Sequence, residues 1–136
     1  SNNYGVEGPT AELRITHMRQ QQKRNMVVQN LCEESLQKFL TYLNPAKVMS
    51  VLLEFDRILE KELNLKLSNP LRIRLIVHCG CALERIVTRS PLVYNEDKSK
   101  VDTQKLEAIK KAARVFDDTL KLRFEEDEYY FMANMV

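Results

Sequence analysis

The residues best suited to chemistry lie between positions 69 and 89, in the segment NPLRIRLIVHCGCALERIVTR, which contains His78. The other histidine, His17, belongs to a polar segment near the start of the sequence. Because a helix repeats every 3.6 residues, Arg74, His78 and Arg85 fall along one stripe of a helix formed here. A titratable imidazole between two cations on an otherwise apolar helix could be a phosphate-bearing site.

A second interpretation of His78 is a structural histidine whose partners lie in the core or at an interface. Two nearby cations would disfavour protonation of a buried imidazole. A structural histidine that stays neutral therefore gains nothing from two arginines beside it. A phosphorylated imidazole carries roughly two negative charges, and both arginines would stabilise it. Judged from the residues alone, both interpretations remain open.

Metal and thiol chemistry are poorly supported by the three cysteines, Cys32, Cys79 and Cys81. Helix residues one or two positions apart point in different directions, whereas zinc needs ligands that converge. Cysteine–histidine catalysis would need an oriented base, and no Gly-rich turn or oxyanion-hole motif accompanies His78. The odd number of cysteines in apolar surroundings favours reduced thiols in a cytoplasmic protein. We therefore expect no metal, no disulfide, no cofactor and no enzymatic activity.

Composition is that of an ordinary globular domain. The chain has 136 residues, of which 44% are hydrophobic and 29% charged, and its net charge is +2. This charge is too small to indicate a nucleic-acid or membrane partner for this segment itself. The longest stretch without a charged residue, from Leu75 to Leu83, is far too short to span a bilayer.

The apolar spacing predicts helices throughout residues 25–136. Residues 1–24 are predicted to be a linker or tail from a preceding domain, and Ser1-Asn2 could be a remnant of an expression vector. The first helix should begin near Asn25. Its predicted apolar face comprises Val27, Leu31, Leu36, Phe39, Leu40 and Leu43.

Capping residues predict the starts of three further helices, and composition predicts which helix is central. Asn44-Pro45 should open the second helix, and Ser68-Asn69-Pro70 should open the third in the same way. The third helix is apolar around most of its circumference, which is typical of a central helix. Gly80 in its middle favours close approach of a neighbouring helix. Asp102 or Thr103 should cap a fourth helix.

A fifth, short helix is predicted from the acidic run Glu125–Glu128 to the neighbourhood of the last residue. Acidic residues stabilise a helix N-terminus through the macrodipole, and this role explains the run. The predicted fold class is therefore all-α, a five-helix bundle.

Two longer stretches, FLTYLNPAKV and LNLKLSNPLRIRLIVHCGCALERIVTRSPLVY, resemble the PTS regulation domain, or PRD. The resemblance extends from about Gln29 onward and is strongest to the C-terminal PRD of sigma-54-dependent activators of the levanase-operon regulator type. It implies a five-helix bundle, a homodimer, and phosphorylation of a histidine by the phosphocarrier HPr or by a sugar-specific enzyme IIB. The family's first histidine falls on His78, and the arginine of its Glu-Arg pair falls on Arg85. Arg74 would be a second contact for the phosphate.

One position departs from the family pattern. PRDs often carry a second histidine in the last helix, and the corresponding position here is Met135. Methionine cannot accept a phosphoryl group, so the resemblance predicts a sensor with one histidine. The alternative function is a helical dimerisation module of a multidomain regulator that is not itself phosphorylated.

Overall fold

The structure is a computed structural model that describes residues 3–136, with side chains from residue 10 onward. It contains five α-helices and a 3-10 turn at Lys98–Lys100, and the described residues include no strand. The helices are α1 (Asn3–Phe39), α2 (Pro45–Leu63), α3 (Asn69–Thr88), α4 (Thr103–Leu120) and α5 (Glu126–Met135). The predicted all-α, five-helix fold is confirmed. No helix in the described part of the chain is both long and apolar enough to cross a membrane.

Polar side chains cap the starts of α2, α3 and α4. Asn44 Oδ1 accepts a hydrogen bond from the Ala46 amide at 2.9 Å, and Pro45 is the first residue of α2. Ser68 takes the equivalent place before α3, and Asp102 before α4. These contacts satisfy amide groups that have no partner within the helix, which is why each helix begins where the sequence predicts.

The core forms where α2 packs on α4 and where α3 packs between α1 and α5. α3 has eight buried residues, against seven on α2 and six on α4. It is therefore the central helix, as its composition indicates. A Cβ added to Gly80 would lie 2.5 Å from Leu36 Cδ2 of α1. This confirms that Gly80 allows a neighbouring helix to approach closely.

The carboxylate of Glu84 holds the connection between α1 and α2. Its Oε1 accepts hydrogen bonds from the amides of Thr41 and Tyr42 at 2.9 and 2.6 Å, and its Oε2 accepts one from Leu43 at 3.0 Å. A carboxylate that accepts several backbone amides makes strong, charge-assisted hydrogen bonds. α1 therefore ends at Phe39 and does not continue to Leu43.

The prediction that residues 1–24 form a linker and that the first helix begins near Asn25 is wrong in its helix boundary, because α1 begins at Asn3. Arginine, glutamine, lysine and methionine are good helix formers, so the polar stretch MRQQQKRN continues the helix. The described side chains of residues 10–20 are all exposed. Their assignment to a preceding domain stays a prediction, and the proposed vector remnant at residues 1–2 lies outside the described residues.

The predicted apolar face of the first helix is correct at Leu36, Leu40 and Leu43, which lie in or against the core, and wrong at its other three positions. Val27, Leu31 and Phe39 are 49%, 45% and 61% exposed, respectively. The residues of α1 that enter the core are Val28, Cys32 and Leu36. Among these three, only Leu36 belongs to the predicted face.

Two polar contacts attach α1 to the rest of the bundle where it first reaches α2 and α3. Arg24 forms an ion pair with Glu60 at 2.9 Å and donates a hydrogen bond to the Leu67 carbonyl. Asn25 accepts a hydrogen bond from Arg72 at 2.8 Å, and Arg72 pairs with the buried Asp56 at 2.7 Å. Burial raises the pKa of Asp56 against the opposing effect of Arg72.

Candidate functional site

His78 lies on the side of α3 that faces α5. Its side chain is 20% exposed. The Nε2 atom is buried and has no hydrogen-bond partner, and it lies 3.9 Å from Glu128 Oε1. The ring also packs against Phe131, with 6.5 Å between centroids. His78 is thus a crevice residue, with one ring nitrogen turned towards a carboxylate.

Arg85 lies two turns after His78 and reaches the same carboxylate. Its Nη2 donates to Glu128 Oε2 at 2.7 Å and to Oε1 at 3.0 Å. Its Nε is buried without a partner. Glu128 itself is 3% exposed, so the pair joins α3 to α5 with little screening by solvent. His78, Arg85 and Glu128 therefore form one cluster, called here the α3–α5 cluster.

Burial sets the charge state of this cluster. Desolvation, and to a smaller extent the positive charge of Arg85, lowers the pKa of His78 to about 4. Desolvation raises the pKa of Glu128, while the hydrogen bond and charge of Arg85 oppose that rise. At neutral pH the imidazole is uncharged, so one of its nitrogens carries a lone pair that can act as a nucleophile.

Arg74, the third residue of the predicted stripe, does not join the cluster. It lies on an exposed part of α3, one turn before His78. Across the described residues it makes no hydrogen bond or ion pair. The structure therefore brings Arg85 close to His78 through Glu128 and leaves Arg74 in solvent.

Glu128 is a site residue that the sequence did not predict, because its acidic run is explained equally well by a helix start. A signal was present in the spacing. Glu128, Met132 and Met135 are separated by four and three residues, which places Glu128 on the apolar stripe of α5. A carboxylate on such a stripe is buried and needs a cation on the facing helix.

A recess of about 360 Å³ opens beside the cluster. It is bounded by residues of α3, the start of α5 and the loop after α3. The lining residues are Ala82, Arg85, Ile86, Arg89, Pro91, Glu125 and Glu128. Arg85 can therefore be approached from solvent on one side while its other side holds Glu128.

The cysteines are not assembled with His78. Cys79 is fully buried, and its thiol donates to the Met132 thioether at 3.3 Å. Burial raises the pKa of the Cys81 thiol, and raises that of Cys32 to about 12. All three are free thiols. Within the described part of the chain, no group of three or more His, Cys, Asp or Glu residues is placed to hold a metal ion.

The fold is an all-helical bundle, and its candidate site is a histidine in a crevice between the third and last helices. The family model described as the PRD domain matches residues 54–136. The chain belongs to this family.

Two curated relatives are transcriptional regulators. The chain is 33% identical over 112 residues to "Transcriptional regulatory protein LevR" of Bacillus subtilis (strain 168). It is 29% identical over 108 residues to "Transcriptional regulatory protein DagR" of Salmonella typhimurium (strain 14028s / SGSC 2262). These matches cover 80% and 78% of this chain but only 12% of each relative. No solved structure matches. A regulatory role for the domain follows from these matches.

Proposed function

We propose that this chain is a regulatory domain of a bacterial transcriptional activator of the sigma-54-dependent type, controlled by reversible phosphorylation of His78. The observation that carries the proposal is the uncharged imidazole beside Arg85, in a crevice between α3 and α5, within a PRD. The phosphoryl donor would be HPr, a sugar-specific enzyme IIB, or both. The domain would work in the cytoplasm and would have no catalytic activity of its own.

The electrostatics of the α3–α5 cluster support a phosphoryl acceptor at His78. An uncharged imidazole can attack phosphorus, whereas a protonated one has no free lone pair. The phosphorylated ring would then be anionic. Arg85 would form charge-assisted hydrogen bonds with the phosphoryl oxygens, each worth about 1.5–3 kcal/mol. Arg74 is a weaker candidate for such a contact, because it would have to fold back from solvent.

Intact mass measurement tests the proposal. The chain is incubated with phosphoenolpyruvate, enzyme I and HPr, and in parallel with candidate enzyme IIB proteins. We expect a gain of one acid-labile phosphoryl group. His78→Ala should abolish the gain, and His17→Ala, which changes an exposed histidine of α1, should not. Labelling that survives His78→Ala, or that His17→Ala removes, would contradict the assignment.

Dimerisation is a second part of the proposal. The aromatic residues of α5 are a candidate contact surface by composition, because aromatic residues are enriched at interfaces. In the structure they pack within the chain, since Tyr94 contacts Tyr130 and Phe131 at 5.5 and 5.1 Å between ring centroids, and Tyr129 packs against Phe124. α5 therefore offers less free apolar surface than its composition indicates.

An alternative function, a dimerisation module without phosphorylation, is favoured by a different surface. α1 exposes large apolar side chains, among them Leu13, Met18 and Met26, at 71%, 61% and 60%. Sedimentation of the chain at high concentration tests dimerisation under both functions. A dimer that forms while His78 never takes up phosphate would favour the alternative over the first proposal.

A further inference from the structure

We propose that Glu128 occupies, in the unphosphorylated chain, the place that a phosphoryl group takes when it is bonded to Nε2 of His78. Phosphorylation would then expel Glu128 from Arg85 and release α5 from α3. This inference rests on the proposed function and adds to it the ring nitrogen that accepts the phosphate and the helix that responds.

The position of Glu128 is the first support. Its Oε1 lies 3.9 Å from Nε2, and both of its oxygens accept hydrogen bonds from Nη2 of Arg85. A phosphoryl group on Nε2 would place its own oxygens in this same space and would seek the same guanidinium. Nε2 is buried and makes no hydrogen bond, so it is chemically free, and a donor reaches it when the Glu128 carboxylate moves aside.

The Glu128 carboxylate and the phosphoryl group would compete for Arg85, and their charges decide which of them binds it. Glu128 contributes at most one negative charge, and burial already raises its pKa. A phosphoryl group carries up to about two negative charges and offers three acceptor oxygens. The two anions repel each other at this distance in a site of low dielectric constant. Because the phosphoryl group is covalently held at His78, the carboxylate is the group that leaves.

The other contacts of α5 would keep it attached to α4 when it separates from α3. Lys98 pairs with Asp127 at 2.7 Å, and Lys110 of α4 pairs with Glu126 at 2.8 Å. These contacts join α5 to α4 and to the loop before it, and they do not involve α3. Towards α3, the polar contacts of the described residues are those of Glu128 and the bond between Cys79 and Met132. Loss of the Glu128 contacts would therefore loosen α5 on its α3 side and leave it attached to α4.

The chemical step is a simple group transfer. When the Glu128 carboxylate moves aside, the tautomer with its proton on Nδ1 attacks with the Nε2 lone pair, so that an N–P bond forms at His78. The P–N bond of a donor phosphohistidine, or the P–S bond of a donor phosphocysteine, breaks, and the donor side chain leaves with the electron pair. The Nδ1 proton stays on the ring or passes to solvent, and nothing is oxidised or reduced.

Two measurements on the 136-residue chain test the inference. Nuclear magnetic resonance of the phosphorylated chain identifies the phosphorylated nitrogen, and amide hydrogen exchange follows α5 before and after phosphorylation by HPr or enzyme IIB. We expect phosphate on Nε2 and exchange in α5 that becomes about tenfold faster or more, while exchange in α2 is unchanged.

A matched pair of variants separates Glu128 from its neighbours. Glu128→Gln should show the faster α5 exchange before any phosphorylation, and it should accept phosphate about tenfold faster because Nε2 is less covered. Glu126→Gln makes the same chemical change on the same helix but removes an ion pair at the surface, and it should behave as the unmodified chain does. Equal effects of the two variants would overturn the proposal.

The comparison of phosphorylated with unphosphorylated chain needs no variant, so it stays decisive even if Glu128→Gln does not fold. Phosphate on Nδ1, or α5 exchange that does not change on phosphorylation, would overturn the displacement of Glu128 and leave the proposed function intact. Absence of phosphate on His78 with every donor would overturn the proposed function, and this inference would fall with it.

Discussion

His78 should make the stability of the domain fall as the solution becomes acidic. In the folded chain the pKa of His78 is lowered from 6.5 to about 4, by burial first and by Arg85 second. In the range between these two values the unfolded chain binds a proton that the folded chain does not. Stability from the neutral imidazole is therefore fully present above pH 6.5 and is lost as the pH falls towards 4.

The magnitude follows from the two pKa values. Integrating the proton difference from about pH 7 to about pH 5 gives a loss of about 2 kcal/mol in the free energy of unfolding. The side chain is only 20% exposed, so solvent screening reduces this figure little. Asp56 and Glu128 act in the opposite direction, because burial raises their pKa values and acid then favours the folded state.

The assay compares variants, so that these opposing groups cancel. Urea unfolding is measured at about pH 7 and about pH 5 for the unmodified chain, His78→Gln and His17→Gln. His78→Gln should lose about 2 kcal/mol less than the unmodified chain over this interval, and His17→Gln should lose the same amount as the unmodified chain. Equal losses for the unmodified chain and His78→Gln would refute the inference that burial keeps this imidazole uncharged.

Three further predictions concern the neighbours of the site. Glu84→Gln should destabilise the fold by about 2 kcal/mol, because an amide cannot accept three backbone N–H groups with a full charge, and hydrogen exchange should rise in the loop between α1 and α2. Arg85→Ala should cost about 3 kcal/mol at neutral pH because it strands Glu128 in the core, and adding Glu128→Gln should recover part of this loss in a urea titration. Gly80→Ala should lower the free energy of unfolding by about 1 kcal/mol, net of its gain in helix propensity. In a chain that also carries Leu36→Ala, which provides space, Gly80→Ala should instead be stabilising. Additive effects of the two substitutions on the free energy of unfolding would contradict the close approach of these residues.

The sequence predicts the fold well where local chemistry decides the structure. The Asn44-Pro45 and Ser68-Asn69-Pro70 signals mark the starts of α2 and α3, since a cap depends on residues within one turn. The boundary of α1 was not predictable in the same way. Its polar stretch contains good helix formers without an apolar face, and periodicity alone cannot distinguish such a helix from a linker.

The sequence predicts the part of the candidate site that lies on α3, but not the contact between α3 and α5. The spacing of His78 and Arg85 is a property of α3 itself, so the sequence places them on one stripe. The partner of both, Glu128, comes from a helix some 40 residues later in the chain, and the way two helices face each other is a tertiary property. The same limit applies to Arg74, whose place on the stripe is correct but whose side chain points to solvent.

The continuity of α1 has a mechanical consequence. The helix is held at Arg24 and Asn25 and then runs without a break to Thr10, a length of about 21 Å at 1.5 Å per residue. A rigid rod fixed at one end is a lever arm, and a tilt of about 10° at the fixed end moves the far end by about 4 Å over this length. Small changes in the angle at which α1 packs on α2 and α3 therefore become larger displacements towards its exposed end. A protein bound to the exposed stretch would be moved together with the whole helix surface.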